Sequence, residues 1–327
     1  MKRYLMESLS KLKYVNNYFS GIATIFTLHR VHPFENHKLA PNENMKVSPE
    51  FLEFFIVDLL SDGYEFITLD TLHHILQEEK KETKKILFTL DDGYVDNYTI
   101  AYPIFKKYNI PFTIYVTPSF LQKEALLWWY VLEDLILKNK FLLLNNGEKH
   151  PCASEHEQIE TFFKIRALIL SFDQKNLEHH LSALFHNYTL EWVSKCTELA
   201  MNWDQIIELS KDPLVTIGGH TQHHYALNKL SEKEIIDEIQ HANTLIESKI
   251  NQKVEHIAYP FGTSGEVGQR EFDIVKSLGY KTATTTRRGT IYGAHKDYLE
   301  CLPRIMLSEK FSIREIGKVR KTRVVTQ

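Results

Sequence analysis

Short apolar runs recur along the chain, and each gives way abruptly to small or polar residues. Thr24 to Leu28 ends at His29, Lys85 to Leu90 at Asp91-Asp92-Gly93, and Phe112 to Val116 at Thr117-Pro118. Leu214 to Ile217 ends at Gly218-Gly219-His220, Val254 to Tyr259 at Pro260-Phe261-Gly262, and Lys281 to Thr286 at Arg287-Arg288-Gly289. Apolar runs of this length, bounded by turn residues, predict buried strands. Helical patterns lie between them. Ser231-Glu232-Lys233-Glu234 is a capping box, and Ile235, Ile239, Ala242, Ile246 and Ile250 follow at helical spacing. Arg270 to Leu278 reads as a second helix, stopped by Gly279. Such alternation predicts parallel strands with helical crossovers. If the sheet closes into a barrel, every strand end gathers on one face, where such barrels place their chemistry.

The stretch from Leu126 to Leu209 breaks this rhythm. It lacks strand alternation and carries helical periodicity in Ile159, Phe162, Phe163, Ile165, Leu168 and Ile169, and again in Trp203, Ile206 and Ile207. It predicts a mostly helical insertion over 126–209. Within it, Trp128-Trp129-Tyr130 either lines a sugar-binding groove by stacking or fills apolar core, the core reading being favoured. The 327 residues therefore suit a single domain over 1–327, with that insertion and a basic helix or tail at 308–327.

Composition changes this picture little. With 43% hydrophobic residues, 25% charged residues and a net charge of -3, the chain is no disordered tail and lacks the basic excess of a nucleic-acid binder. Cys152, Cys196 and Cys301 are odd in number and widely spaced, which implies neither a disulfide framework nor a structural zinc site. The apolar run Ile22 to Leu28 is short and is closed by His29-Arg30, so it reads as a strand and not a signal peptide. No uncharged apolar stretch approaches the roughly 18 residues of a membrane span. A cytoplasmic location is the expectation. Lys310 to Arg323 is basic enough to allow peripheral contact with the inner face of a membrane, although such runs are usually solvated surface. No feature points to a protein partner.

The 16 His are more informative by position than by number. Asp91 and Asp92 end an apolar strand, with Gly93 allowing a sharp turn. His220 and His224 are four apart, so on a helical turn both imidazoles leave one face and meet one ion; His223 also remains open as a ligand by spacing. One carboxylate and two imidazoles make a metal site with open positions, suited to acidifying water, and the second carboxylate is left free as a base.

Thr89-Leu90-Asp91-Asp92-Gly93 resembles the T-F-D-D-G motif of the polysaccharide deacetylases, the carbohydrate esterase family 4 enzymes with a NodB-like domain. His220-Thr221-Gln222-His223-His224 resembles their H-[ST]-x-x-H motif. Ala258-Tyr259-Pro260-Phe261-Gly262 is similar to the R-x-P-Y region in a Y-P-F-G form, and Leu302-Pro303-Arg304 stands where the L-x-H region is expected. The resemblance implies an α/β fold, a distorted (β/α) barrel, and metal-dependent removal of an N-acetyl group from an amino sugar. Carried over by position, Asp92, His220 and His224 hold a divalent metal, zinc being the first choice, and Asp91 is the general base. Thr221 orients a ligand. The Phe261 amide helps hold the oxyanion, with Tyr259 beside it.

Two departures stand out. The arginine of the third motif is Ala258 here, and the histidine of the fifth is Arg304. Arg304 can supply the missing cation from another strand. For the missing acid the best candidate is His29, with His32 and His295 behind it. The expected substrate is a lipid- or nucleotide-linked amino sugar, or an oligosaccharide, of bacterial surface-polysaccharide synthesis, with Arg287 and Arg288 on its phosphate. The competing readings are a non-catalytic carbohydrate-binding protein on the same fold, a deformylase of a formamido sugar, and a two-His-one-carboxylate iron oxygenase, which the strand–helix alternation disfavours.

Overall fold

The computed structural model describes residues 21–318. The six predicted strands form, two unpredicted ones join them, and all are parallel: β1 (Ala23–Leu28), β2 (Glu65–Phe66), β3 (Lys85–Leu90), β4 (Phe112–Val116), β5 (Val215–Gly219), β6 (His256–Ala258), β7 (Thr282–Arg288) and β8 (Leu302–Met306), of which β2 and β8 are the unpredicted pair. Seven of them close a ring in the order β1-β8-β7-β6-β5-β4-β3, and β3 returns to β1 along its whole length, Ala23 opposite Lys85 through Leu28 opposite Leu90. The short β2 pairs with the start of β3, at Lys85 and Ile86, below the point where β4 joins at Phe88. A strand in such a ring is covered on both faces. That is why β1 and β4 are buried at every residue and read as unbroken apolar runs.

Two strand ends run further than the apolar pattern foretells. β5 takes in Gly218 and Gly219, which pair with Tyr115 and Val116. A Cβ at Gly218 would lie 2.5 Å from the Tyr115 ring, and one at Gly219 would lie 2.0 Å from Asn243 Oδ1. β7 likewise extends through Arg287 and Arg288. β8 was invisible as a strand because it contains Pro303, which has no ladder donor; it is accommodated where β7 slips register between Thr284 and Arg288.

Helices cover the ring. Among them are α1 (Pro49–Ser61), capped by Ser48, and α2 (Leu69–Gln77), capped by Thr68. The apolar face of α1 joins a cluster that includes Phe26, Phe55, Phe88 and Phe105, and that of α2 joins a second with Ile25, Leu87 and Tyr115. The insertion carries α3 (Trp128–Lys138), α4 (Glu155–Ser171), α5 (Leu177–Leu184), α6 (Trp192–Leu199) and α7 (Trp203–Leu209). It has its own apolar cluster around Leu132, Ile136, Ile165, Ile169 and Leu181. The insertion also holds a hairpin, Phe141–Leu143 with Lys149–Pro151, turned at Gly147 (φ 83°). Strands of three residues are too short to register as alternation. After β5 come α8 (Glu232–Ile250), with the capping box at Ser231, and α9 (Gln269–Ser277), one residue earlier than the spacing indicates.

Beyond β8, Phe311, Ile313 and Ile316 pack on the barrel core. The rest of the basic run, and the chain before Gly21, lie outside the described residues. Among those described, no helix is long and apolar enough to cross a membrane.

The Gly218 contacts predict that Gly218→Ala destabilises the fold by about 1–3 kcal/mol, because the methyl must displace a fully buried ring. A fall in the urea midpoint at unchanged slope is the expected reading.

Candidate active site

The turn after β3 sends its two carboxylates to different partners. Asp91 N–H still donates to Leu28 O (3.0 Å), extending the ladder, whereas Asp92 (φ 77°) and Gly93 (φ 94°) are left-handed and reverse the chain. Asp91 thereby enters the barrel, and Asp92 stays with the residues of the rim.

Asp91 meets Arg304. The guanidinium donates from Nη1 to Oδ1 and from Nη2 to Oδ2, both at 2.7 Å, and both residues are fully buried. Arg304 also donates from Nε to Thr285 O (3.0 Å) and from Nη1 to Thr89 Oγ1 (3.0 Å). Burial alone pushes the Asp91 carboxyl up. The charge of Arg304 and its two hydrogen bonds push the other way and prevail, holding it below the ordinary aspartate range.

Asp92 meets two histidines. Its Oδ1 lies 3.3 Å from Nε2 of both His220 and His224, and these donor atoms all fall within 4.8 Å of one another. His220 Nδ1 donates to Ala258 O (2.8 Å), which leaves Nε2 as the nitrogen with a free lone pair. Asp92 Oδ1 is buried with no hydrogen-bond partner. An orphaned carboxylate oxygen facing two imidazole nitrogens is costly as it stands, and it suits a divalent cation in both donor type and number. The predicted helical turn is absent. Thr221 (φ 62°) and His224 (φ 60°) are both left-handed, and Thr221 Oγ1 accepts from His224 N–H (3.2 Å), so a kinked loop brings the second imidazole round. The same kink turns His223 outward, where it is exposed and its Nδ1 sits 2.6 Å from Glu238 Oε1.

The remaining predicted residues divide. His29 lines the cleft with Asp92 and His224; its carbonyl is held by Asn97 Nδ2 (2.9 Å), and its Nδ1 is buried without a partner. Burial lowers its pKa, against the pull of Asp92 and Asp91. The next residue, Arg30, anchors this corner through Asp96 (2.7 Å). His32 turns to Pro33 O (2.9 Å). His295 belongs to the segment packed on the start of β1, through Ile291 and Ala23, at the opposite end of the barrel from His29. Phe261 (φ 59°) sets its ring 4.7 Å from that of His224, and its carbonyl accepts from Thr286 Oγ1 (2.7 Å).

Three expectations require correction. Tyr259 is not at the substrate: it is buried against Phe272 of α9, and its hydroxyl donates to Glu300 O (2.7 Å). Arg287 points to the same outer layer, with its guanidinium over the Phe272 ring and donating to Val267 O (2.7 Å). Arg288 lies 3.6 Å from Glu315. Neither arginine lines the cleft, because strand β7 continues through them and aims Arg287 at the helices.

The cleft has a volume of about 400 Å³. Asp92, His224 and His29 line it together with Tyr94, Trp128, Trp129, Tyr130 and Phe261, and with Phe162, Phe163 and Arg166 of α4. Trp128 and Tyr130 are nonetheless buried, so the Trp-Trp-Tyr run is both core and wall. Trp129 lies 5.4 Å from the His224 ring and donates to the Tyr94 hydroxyl (3.2 Å). Sequence reasoning missed Tyr94 and Arg166. For Arg166 the signal was its spacing of three and four from Phe163 and Phe162, legible only once that helix face has a direction.

A family model for polysaccharide deacetylase matches residues 78–283. With the barrel and the Asp92–His220–His224 constellation, this places the chain in the polysaccharide deacetylase family, a class of carbohydrate-modifying hydrolases. Part of the chain is 42% identical over 59 residues to YxkH of Bacillus subtilis (strain 168), a protein bearing the family's name; that match spans 18% of this chain and 21% of the relative. Among solved structures, the Streptococcus pyogenes deacetylase PplD in complex with acetate aligns with a TM-score of 0.59 at 18% identity, over 92% of this chain and 98% of that one. IcaB from Ammonifex degensii aligns with a TM-score of 0.56 at 16% identity, over 91% and 95%. At such identities these structures establish the shared barrel.

Two predictions follow from the geometry. Asp92→Ala, His220→Ala and His224→Ala each lose stoichiometric divalent metal by elemental analysis, whereas His223→Ala keeps it; retention by the first three would remove the triad as the metal site. Arg304→Met leaves Asp91 buried and unpaired, which costs about 3–5 kcal/mol at neutral pH. In the native protein Asp91 is depressed, so its contribution is present above the unfolded value near 3.9 and lost as pH falls. In Arg304→Met it is raised, and protonation relieves it. The stability gap between the two proteins therefore narrows as urea titrations are taken down from neutral pH, first as the raised Asp91 of the variant protonates and then, below about pH 4, as the native contribution is lost.

Proposed function

We propose that the protein is a divalent-metal-dependent N-deacetylase of an amino sugar, with zinc as the metal. The observation that carries this reading is the Asp92–His220–His224 triad, buried except for a partly exposed His224, with its orphaned Asp92 oxygen, beside a second carboxylate that Arg304 keeps ionised.

Asp92 Oδ1 and the Nε2 atoms of His220 and His224 would hold the cation. When bound, it supplies Lewis acidity to the acetyl carbonyl and lowers the pKa of water. Asp91 accepts the proton of the attacking water. Both its oxygens already receive a bond from Arg304, but a carboxylate has about four acceptor sites, so capacity remains. Arg304 thus does for Asp91 what the arginine absent at Ala258 would have done, from the other side of the ring. Phe261 N–H, carried on a left-handed residue pinned by Thr286, is offered to the oxyanion. His29 protonates the departing amine; it stands on the rim of β1, in the same cleft, with its main chain fixed by Asn97. Trp129 and Tyr94 close one side and provide a face on which a sugar ring can stack.

Asp91→Asn is expected to retain metal and to lose acetate release by about 10²–10⁴-fold, the range for removal of a general base. Acetate release from N-acetylhexosamine substrates, followed alongside metal content, checks this. Full turnover by the metal-loaded Asn variant would end the assignment of the base. Release of formate but not acetate from matched substrates would redirect the reading to a deformylase.

A further inference from the structure

The cleft contains a cation that the chemistry above leaves unused. Arg166 is the single arginine or lysine among the described residues lining it. It projects from α4 of the insertion, half-buried, with its guanidinium 5.7 Å from the Phe261 ring centroid, and that ring in turn lies 4.7 Å from the His224 ring. Arg166 therefore stands one aromatic ring away from a residue of the metal triad.

We infer that Arg166 binds a phosphate ester carried by the amino-sugar substrate, with the apolar aglycone beyond that phosphate lying along the aromatic wall. This rests on reading the cleft as a deacetylase site, and it names the class of sugar that enters. The other arginines of this region are committed: Arg30 to Asp96, Arg304 to Asp91, Arg287 to Val267 O, and Arg288 beside Glu315. Arg166 forms no ion pair with a described carboxylate. The one acidic group that acts on it, Glu266, has its carboxylate engaged by the Thr263 hydroxyl. Burial, opposed only in part by Glu266, pulls the guanidinium below its ordinary pKa.

The surroundings indicate what that ligand carries. Phe162 and Phe163, four and three residues before Arg166, share its helix face and line the same cleft, and Phe163 is 54% exposed at its lip. A planar fork set among aromatic rings suits a phosphate with a sugar on one side and an apolar or aromatic group on the other. A polyprenyl chain and a nucleoside both answer that description. A neutral polysaccharide gives the guanidinium nothing to neutralise.

The test compares the zinc-loaded wild type with Arg166→Ala and Arg166→Lys on four substrates: a free N-acetylhexosamine, its 1-phosphate, a nucleoside-diphosphate-linked form and a polyprenyl-phosphate-linked form. Acetate release gives kcat and KM, and quenching of tryptophan fluorescence gives binding independently of turnover. The wild type is expected to prefer phosphorylated over neutral sugar by about 10- to 100-fold in kcat/KM, chiefly through KM, the range of a charge-assisted hydrogen bond. Arg166→Ala collapses that ratio to near one, and Arg166→Lys, which keeps the charge but loses the fork, falls between. Whichever conjugate is bound more tightly identifies the aglycone. A wild-type ratio near one, or a ratio that Arg166→Ala leaves intact, overturns the inference. If no sugar releases acetate but phosphorylated sugars still quench through Arg166, the deacetylase reading fails and the phosphate site stands.

Discussion

A barrel interior is normally filled with layers of apolar side chains, and this one instead encloses a two-pronged ion pair, Arg304 with Asp91, at 0% and 1% exposure. Each ion costs several kcal/mol to desolvate, so the pair persists only where the remaining donors and acceptors are met. The neighbouring strands meet most of them. Thr89 of β3 and the Thr285 carbonyl of β7 take two of the other three guanidinium hydrogens, and Thr27 of β1 lies 3.5 Å from Asp91. Thr285 falls inside the register slip between β7 and β8, where a carbonyl not used by the ladder is free to accept. Buried threonines at positions 27 and 89 are thus explained by one interaction, and four adjacent strands are tied to a common register by it.

That pair also sets the charge of the site above it. With Asp91 neutralised by Arg304, Asp92 is left as the carboxylate facing two imidazoles. One negative charge and two neutral nitrogens would leave a bound divalent ion with net positive charge, which would favour a carbonyl oxygen that gains negative charge. Holding the centre in place requires unfavourable backbone at Asp92, Thr221, His224 and Phe261, all left-handed and none glycine. Such residues cost of order 1–3 kcal/mol each and persist only where the surroundings over-determine them. Here the surroundings are the ends of β3, β5 and β6.

What could be read from sequence was whatever depends on runs and order. Apolar runs ending in polar residues marked six strands of the ring, and the Asp-Asp-Gly and His-x-x-x-His spacings marked the residues that the fold brings together. What depends on direction could not be read. Arg287 and Tyr259 are next to the right residues in the chain but face the helical layer, because successive side chains of a strand leave on opposite faces and the apolar pattern does not say where the strand stops. His223 and His224 were equivalent by spacing until a left-handed Thr221 separated them. Trp128 and Tyr130 forced a choice between core and groove that the molecule does not make, since a wall one side chain thick is both.

The position of the insertion follows from topology. β4 and β5 are neighbours in the ring, Phe112 opposite Val215, so joining them needs only one crossover of roughly a dozen residues. The chain between Val116 and Val215 is far longer, and in a parallel barrel every connection leaves from the C-terminal strand ends, where the Asp92–His220–His224 cluster also lies. The surplus therefore begins at the active face. Its first helix sets Trp129 5.4 Å from the His224 ring, and its second lays Phe162, Phe163 and Arg166 along the same cleft. With an apolar cluster of its own, the insertion can vary its cleft-facing residues without disturbing the Arg304–Asp91 core, which belongs to the strands. The Asp92–His220–His224 cluster on the ring and the cleft-lining residues of the insertion are thus separable in the chain while remaining in contact in space, joined where the rings of Trp129 and Phe261 both approach His224.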